Sequence, residues 1–230
     1  MRIGIIGAMN EETESLISNM NVETVTEKAQ MTFNSGKLFN KEVVVVTCGI
    51  GKVNAAICTQ ILADNFQVDA IINVGIAGGA MESIVPGDII IGKELIQHDF
   101  DASFFQYKIG QIPRLNTYSF PSDDKLVNLA KQVSQELKGY NVYEGIIVSG
   151  DQFVATKEKL SWLNSNFNAY ACEMEGASIA HVSFLNKIPF VVIRSISDNA
   201  LNDTHLEYEK FKVIAVRNSV AIIKGMLEKI

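Results

Sequence analysis

The chain has 230 residues, 47% hydrophobic and 20% charged, with a net charge of −6 and a pI near 5.2. This length suits one α/β domain with a deep core, and the apolar content is too high for a disordered chain. The acidic balance, without any long Lys/Arg run, excludes nucleic acid and an anionic membrane surface as partners. Cys48, Cys58 and Cys172 follow no paired spacing, which argues against a disulfide framework and a zinc site. The apolar stretch after Met1 is too short for a signal peptide, and no run of about 18 apolar residues occurs, so the chain reads as cytoplasmic.

A strand at Ile3–Ile6 leads into a helix over Glu11–Met20. Thr32–Phe39 alternates apolar and polar residues and reads as one arm of an antiparallel hairpin into a strand at Val43–Thr47. A helix over Lys52–Asn65 precedes strands at Ala70–Val74 and Asp88–Ile91. His98 to Pro121 is weakly patterned but carries Phe100, Phe104, Phe105, Tyr107, Tyr118 and Phe120. In a loop, that aromatic density points to a covered interface or a ligand lid, or to packing under a long connection. There follow a helix over Asp123–Leu137, a strand at Gly145–Val148, a helix over Lys157–Asn166, a strand at Tyr170–Cys172 and a helix over Glu175–Asn186. A strand at Phe190–Ile193 and a helix over Leu206–Lys229 end the pattern. Most strand runs are continuously apolar, as strands buried on both faces are. The class is therefore α/β: a single-domain, three-layer αβα sandwich over residues 1–230, with a mixed, largely parallel central sheet.

Glycines cluster where strands are expected to end, at Gly4–Gly7, Gly49–Gly51 and Gly75–Gly79. None fits a dinucleotide fingerprint. A phosphate-binding loop at Gly51-Lys52 fails because Val46 replaces its first glycine and Val53 its magnesium-holding hydroxyl. The clusters instead let a ligand approach the backbone at a sheet's carboxyl edge. Asn10-Glu11-Glu12 reads first as an Asn cap with two acids in a first helical turn. Glu173-Met174-Glu175 places two carboxylates directly after a buried strand. Arg194, near the end of another, needs a partner or a function. Asp198 is placed to act as an acid, oriented by Ser197. His98, His181 and His205 are far apart and form no ligand pattern with the cysteines.

Jointly these segments resemble the 5′-methylthioadenosine/S-adenosylhomocysteine nucleosidases of the nucleoside phosphorylase superfamily. The resemblance rests on Gly4-Ile-Ile-Gly-Ala-Met9 with Glu11-Glu12, Gly49-Ile-Gly-Lys-Val-Asn-Ala-Ala56, His98-Asp99-x-Asp101, Val148-Ser-Gly-Asp151 with Phe153, Glu173-Met-Glu175 and Arg194-x-Ile-Ser-Asp198. It implies a nucleoside phosphorylase-like fold and a homodimer acting on a small nucleoside without metal or cofactor. Asp198 would protonate adenine N7, Phe153 stack on the purine and the Val154 backbone read its edge. Glu175, beside Glu173, would accept the ribose hydroxyls, and Met174 would pack on the sugar. Glu12 would activate water, with Arg194 nearby. Met9, Ile50, Ile76 and Tyr208 would line the sugar and 5′ side, and Phe105 and Pro113 would reach a partner subunit's 5′ pocket. Ile76 stands where many relatives have Ser, and Tyr208 where Phe is usual.

The implied reaction is hydrolysis of an N-glycosidic bond. The alternatives are a phosphate-dependent purine nucleoside phosphorylase, a hydrolase of aminodeoxyfutalosine and a non-catalytic nucleoside sensor. Phosphate would be repelled by Glu12, and a sensor has no need of Glu12, Glu175 and Asp198 together.

Overall fold

In the computed structural model, residues 1–202 and 208–230 are described, with the side chains of residues 1–201 and 213–230. Its strands are β1 (Arg2–Gly7), β2 (Asn21–Lys28), β3 (Met31–Leu38), β4 (Lys41–Thr47), β5 (Ala70–Gly79), β6 (Ile89–Gln97), β7 (Phe120–Pro121), β8 (Val142–Ser149), β9 (Ala169–Glu173) and β10 (Phe190–Asp198). Its helices are α1 (Asn10–Ser18), α2 (Lys52–Phe66), α3 (Asp124–Ser134), α4 (Lys157–Phe167), α5 (Gly176–Asn186) and α6 (Tyr208–Lys229). The α/β class and the mixed sheet are as expected, and no helix among the described residues is long and apolar enough to cross a membrane.

Side chains that alternate along a strand explain why the apolar runs are continuous. Ile3, Ile5, Val43, Val45, Ile72, Val191 and Ile193 pack with residues of α1, α3 and α6. Their neighbours Ile6, Val44, Val46, Ile71, Phe190 and Val192 pack on the other face with α2 and α5. A third cluster under α4 joins Leu160, Leu163 and Phe167 to Ile96 and Val148.

The parallel pairings β4–β1–β5–β10 form one block, and β6–β8–β9 form another running the opposite way. Antiparallel contacts β10–β6 and β5–β9 join the blocks, so the path β5–β10–β6–β8–β9 returns to β5 and closes a ring. The β5–β9 contact pairs Gly78 with Cys172 and Gly79 with Ala171. It therefore overlaps the carboxyl ends of both strands, and residues ending the two blocks meet at one place. The expected hairpin is β3–β4, with Phe33 opposite Val46.

Candidate active site

A cleft opens where those strand ends converge. Met9, Glu12, Ile50, Ile76, Phe153, Val154, Glu173, Met174, Glu175, Ser197 and Asp198 all line it, as do Ala8, Gln152 and Cys172. Arg194 does not; it lies behind the wall. Phe105 and Pro113 are not among the lining residues of their own chain's cleft. Phe105 sits in a short 3-10 turn at Ser103–Phe105, 71% exposed and edge-on to Phe104. The side chain of Tyr208 lies outside the described residues, as does His205.

Glu12 stands at a helix start and in the cleft wall at once. Helix α1 begins at Asn10, with Met9 rather than Asn10 in the cap position. That makes Glu12 the third helical residue, where a glutamate reaches back to the free N–H groups. Its Oε2 accepts from Ala8 N–H at 2.7 Å and Met9 N–H at 3.0 Å, and its Oε1 from Ile76 N–H at 3.1 Å. Burial raises its pKa, against the pull of Arg194 and these three donors. A Cβ at Gly75 would lie 2.7 Å from Glu12 Oε1, so a glycine there makes room for the carboxylate.

Glu173 ends β9 and Glu175 caps the start of α5, and the two carboxylates have different surroundings. Glu173 accepts from Ser149 Oγ, from Arg194 Nη2 at 2.5 Å, and from the N–H groups of Glu175 and Gly176. The side chains of Arg194 and Glu173 are 2% and 3% exposed, and Arg194 Nη2 also donates to Asn73 Oδ1 at 2.6 Å. A buried guanidinium tolerates that position because it is paired: burial opposes its charge, while Glu173, Glu12 and Glu175 hold it protonated. Glu173 thus borders the cleft with its carboxylate committed to protein donors. Glu175 accepts one N–H, from Gly51 at 2.8 Å. Burial, then the neighbouring Glu173 charge, raises its pKa to about 7.

Asp198 is the last residue of β10, opposite Gly78 of β5. Ser197 Oγ donates to its Oδ1 at 2.6 Å. Around these polar groups the cleft mouth is apolar: Phe153 is 73% exposed and Ile50 56%, surface that a flat, apolar ligand would cover. The cysteines are buried and free. Burial raises all three thiols, Cys48 to about 12, which disfavours the thiolate a nucleophile requires. No group of three or more His, Cys, Asp and Glu suited to a metal occurs among the described residues.

Residues 2–228 match the model of the phosphorylase superfamily. A 5′-methylthioadenosine/S-adenosylhomocysteine nucleosidase of Shewanella loihica is 41% identical over 229 residues, covering 99% of each chain. The crystal structure of the enzyme of that name from Neisseria meningitidis, in complex with methylthio-immucillin-A, superposes with a TM-score of 0.94 at 35% identity, covering 100% of this chain and 99% of that one. Its counterpart from Colwellia psychrerythraea, in complex with adenine, gives 0.93 at 41% identity, covering 100% and 95%.

Proposed function

The chain belongs to the 5′-methylthioadenosine/S-adenosylhomocysteine nucleosidases of the phosphorylase superfamily, and from that membership we propose that it hydrolyses the N-glycosidic bond of both nucleosides to adenine and a thioribose. The observation that carries this reading is the charge at the cleft floor: three buried carboxylates, Glu12, Glu173 and Glu175, face one guanidinium, Arg194. Such a site lacks positive charge, and an oxocarbenium-like sugar supplies it in the transition state.

Asp198 gives its proton to adenine N7 as the C1′–N9 bond breaks, so adenine leaves neutral. Glu12 takes a proton from water as the water oxygen bonds to C1′ on the opposite face. Its raised pKa makes it a stronger base. Glu175 accepts the ribose hydroxyls, and Phe153 covers the purine. Arg194, clamped by Glu173 and Asn73, opposes from behind the burial that raises the Glu12 and Glu175 carboxyls.

The same geometry disfavours phosphate. The Ala8 and Met9 N–H groups in the turn before α1, which could help cradle an anion, are already taken by the Glu12 carboxylate. Purified protein is expected to release adenine from methylthioadenosine equally in phosphate-free and phosphate buffer, with free methylthioribose as product. A sugar 1-phosphate, formed only when phosphate is present, would overturn the reading.

We further infer a homodimer in the cytoplasm, with Phe105 and Pro113 completing the partner's 5′ pocket. The exposed Phe104–Phe105 pair supports it, being a large apolar surface on a loop. Phe105→Ala is expected to raise KM for methylthioadenosine more than for adenosine, because only the former has a thioether to lose contacts. A fully active monomer by light scattering contradicts the shared site.

A further inference from the structure

Two turns beside the cleft are tied by a closed set of polar contacts that the chemistry above leaves unused. The Lys52 ammonium lies 2.6 Å from Asp99 Oδ1. Asp99 Oδ2 accepts the Asp151 N–H at 3.0 Å, and Asp151 Oδ1 accepts the Lys52 N–H at 2.8 Å. Lys52, Asp99 and Asp151 therefore form a cycle. It is no loose surface pair: the Lys52 and Asp99 side chains are each 18% exposed, and Gln97 Oε1 lies 3.3 Å from the ammonium. Burial works against ionised Asp99, but Lys52 and the Asp151 N–H outweigh it and hold the carboxyl below its usual range.

What the cycle joins gives it a role. Gly51, one residue before Lys52, is the donor to Glu175. It has φ of 97°, and a Cβ there would lie 3.1 Å from Asp151 Oδ1. The Lys52 carbonyl accepts from Ser178 Oγ on α5 at 2.7 Å. On the other side, Gln152, Phe153 and Val154 follow Asp151 directly and form the purine wall. One turn thus carries the sugar-side contact and the other the base-side contact, and the cycle spans them.

We propose that Lys52, Asp99 and Asp151 are positioning residues that set the spacing between the sugar-side Gly51–Glu175 contact and the purine-side Phe153–Val154 wall. The proposal rests on the nucleosidase reading of the cleft. Loosening the spacing penalises a ligand that bridges both sides, the nucleoside, more than one that occupies the purine side alone, adenine. Small misplacements of this kind are costly at a distance from the chemistry.

The test compares Asp99→Asn, Lys52→Met, their combination and Lys52→Arg. It measures kcat and KM for methylthioadenosine, the inhibition constant of adenine, and hydrogen exchange at the amides of Gly51 and Asp151–Val154. Each disruptive single variant is expected to raise KM by about tenfold or more, with adenine inhibition changed by less than about threefold. The double variant should be no worse than the worse single, since the residues act as one unit. Lys52→Arg should recover most of the loss, and exchange should quicken at the named amides. Equal losses for nucleoside and adenine, multiplicative effects in the double variant, or unchanged exchange would overturn the proposal. Wild-type protein that releases no adenine would instead sink the nucleosidase reading, while the exchange comparison still reports on the cycle.

Discussion

Asp198→Asn is expected to lower kcat on methylthioadenosine by at least about 10²-fold while adenine still binds, the usual cost of losing acid catalysis. The side chain ends a buried strand and its Oδ1 is fixed by Ser197. An asparagine keeps that contact, because its own Oδ1 accepts the same hydroxyl, and its NH₂ still donates to N7. What it lacks is a proton to transfer as the bond breaks. A substrate whose leaving group departs well as an anion should therefore rescue the variant. Normal kcat, or no rescue, would leave Asp198 as an adenine-binding residue only.

Glu12→Gln is expected to cost about 10²–10⁴-fold in turnover, the range for a lost general base. Stability separates this from a capping role. A carboxylate that merely decorates a helix start contributes about 0.3–1 kcal/mol, and its loss leaves activity intact. Glu12 does more, since both oxygens accept backbone N–H groups. A glutamine has one oxygen for these donors, and its NH₂ must confront an N–H group. Leaving a buried donor unsatisfied costs about 1–3 kcal/mol, so melting temperature should fall along with kcat. The decisive measurement is kcat well below the variant's melting point: full turnover there would refute the base. In the wild type, burial raises the pKa of Glu12, and burial with the Glu173 charge raises Glu175 to about 7. Both protonate as pH falls, so kcat/KM should decline on the acid side. Glu175 alone should preserve part of that decline in Glu12→Gln.

Strands β1, β4 and the first half of β5 were legible because helices cover both of their faces, leaving an unbroken apolar run. β2 was not: Asn21–Lys28 is almost wholly exposed, so no buried face imposes a period on its residues. The later parts of β5 and β10 were hidden by function. Gly75, Gly78 and Gly79 look like a turn, yet they continue the strand and admit Glu12, Asp198 and Asn199 beside the backbone. Arg194 to Asp198 looks too polar for a strand interior, yet all five residues are buried in β10. At the site, residue types and order put Glu12, Glu173, Glu175 and Asp198 forward as candidates, and all four line the cleft. They did not show that Glu173 is spent on Arg194 and Ser149, nor that Gly51 supports Glu175, because those partners lie far away in sequence.

Closing the strand ring has a consequence for how the molecule is made. The pairing that seals it sets Phe190 beside Ile71 and Asp198 beside Gly78, contacts between residues more than a hundred positions apart. Loop closure over such distances makes non-local pairing slow. During synthesis Glu12, Glu173 and Glu175 emerge before β10, and until it arrives the edges of β5 and β6 that it pairs with stay open. A nascent chain at that stage holds α1 to α5 but lacks Asp198. The last strand to arrive therefore covers two open strand edges and brings Asp198 to the cleft in the same event.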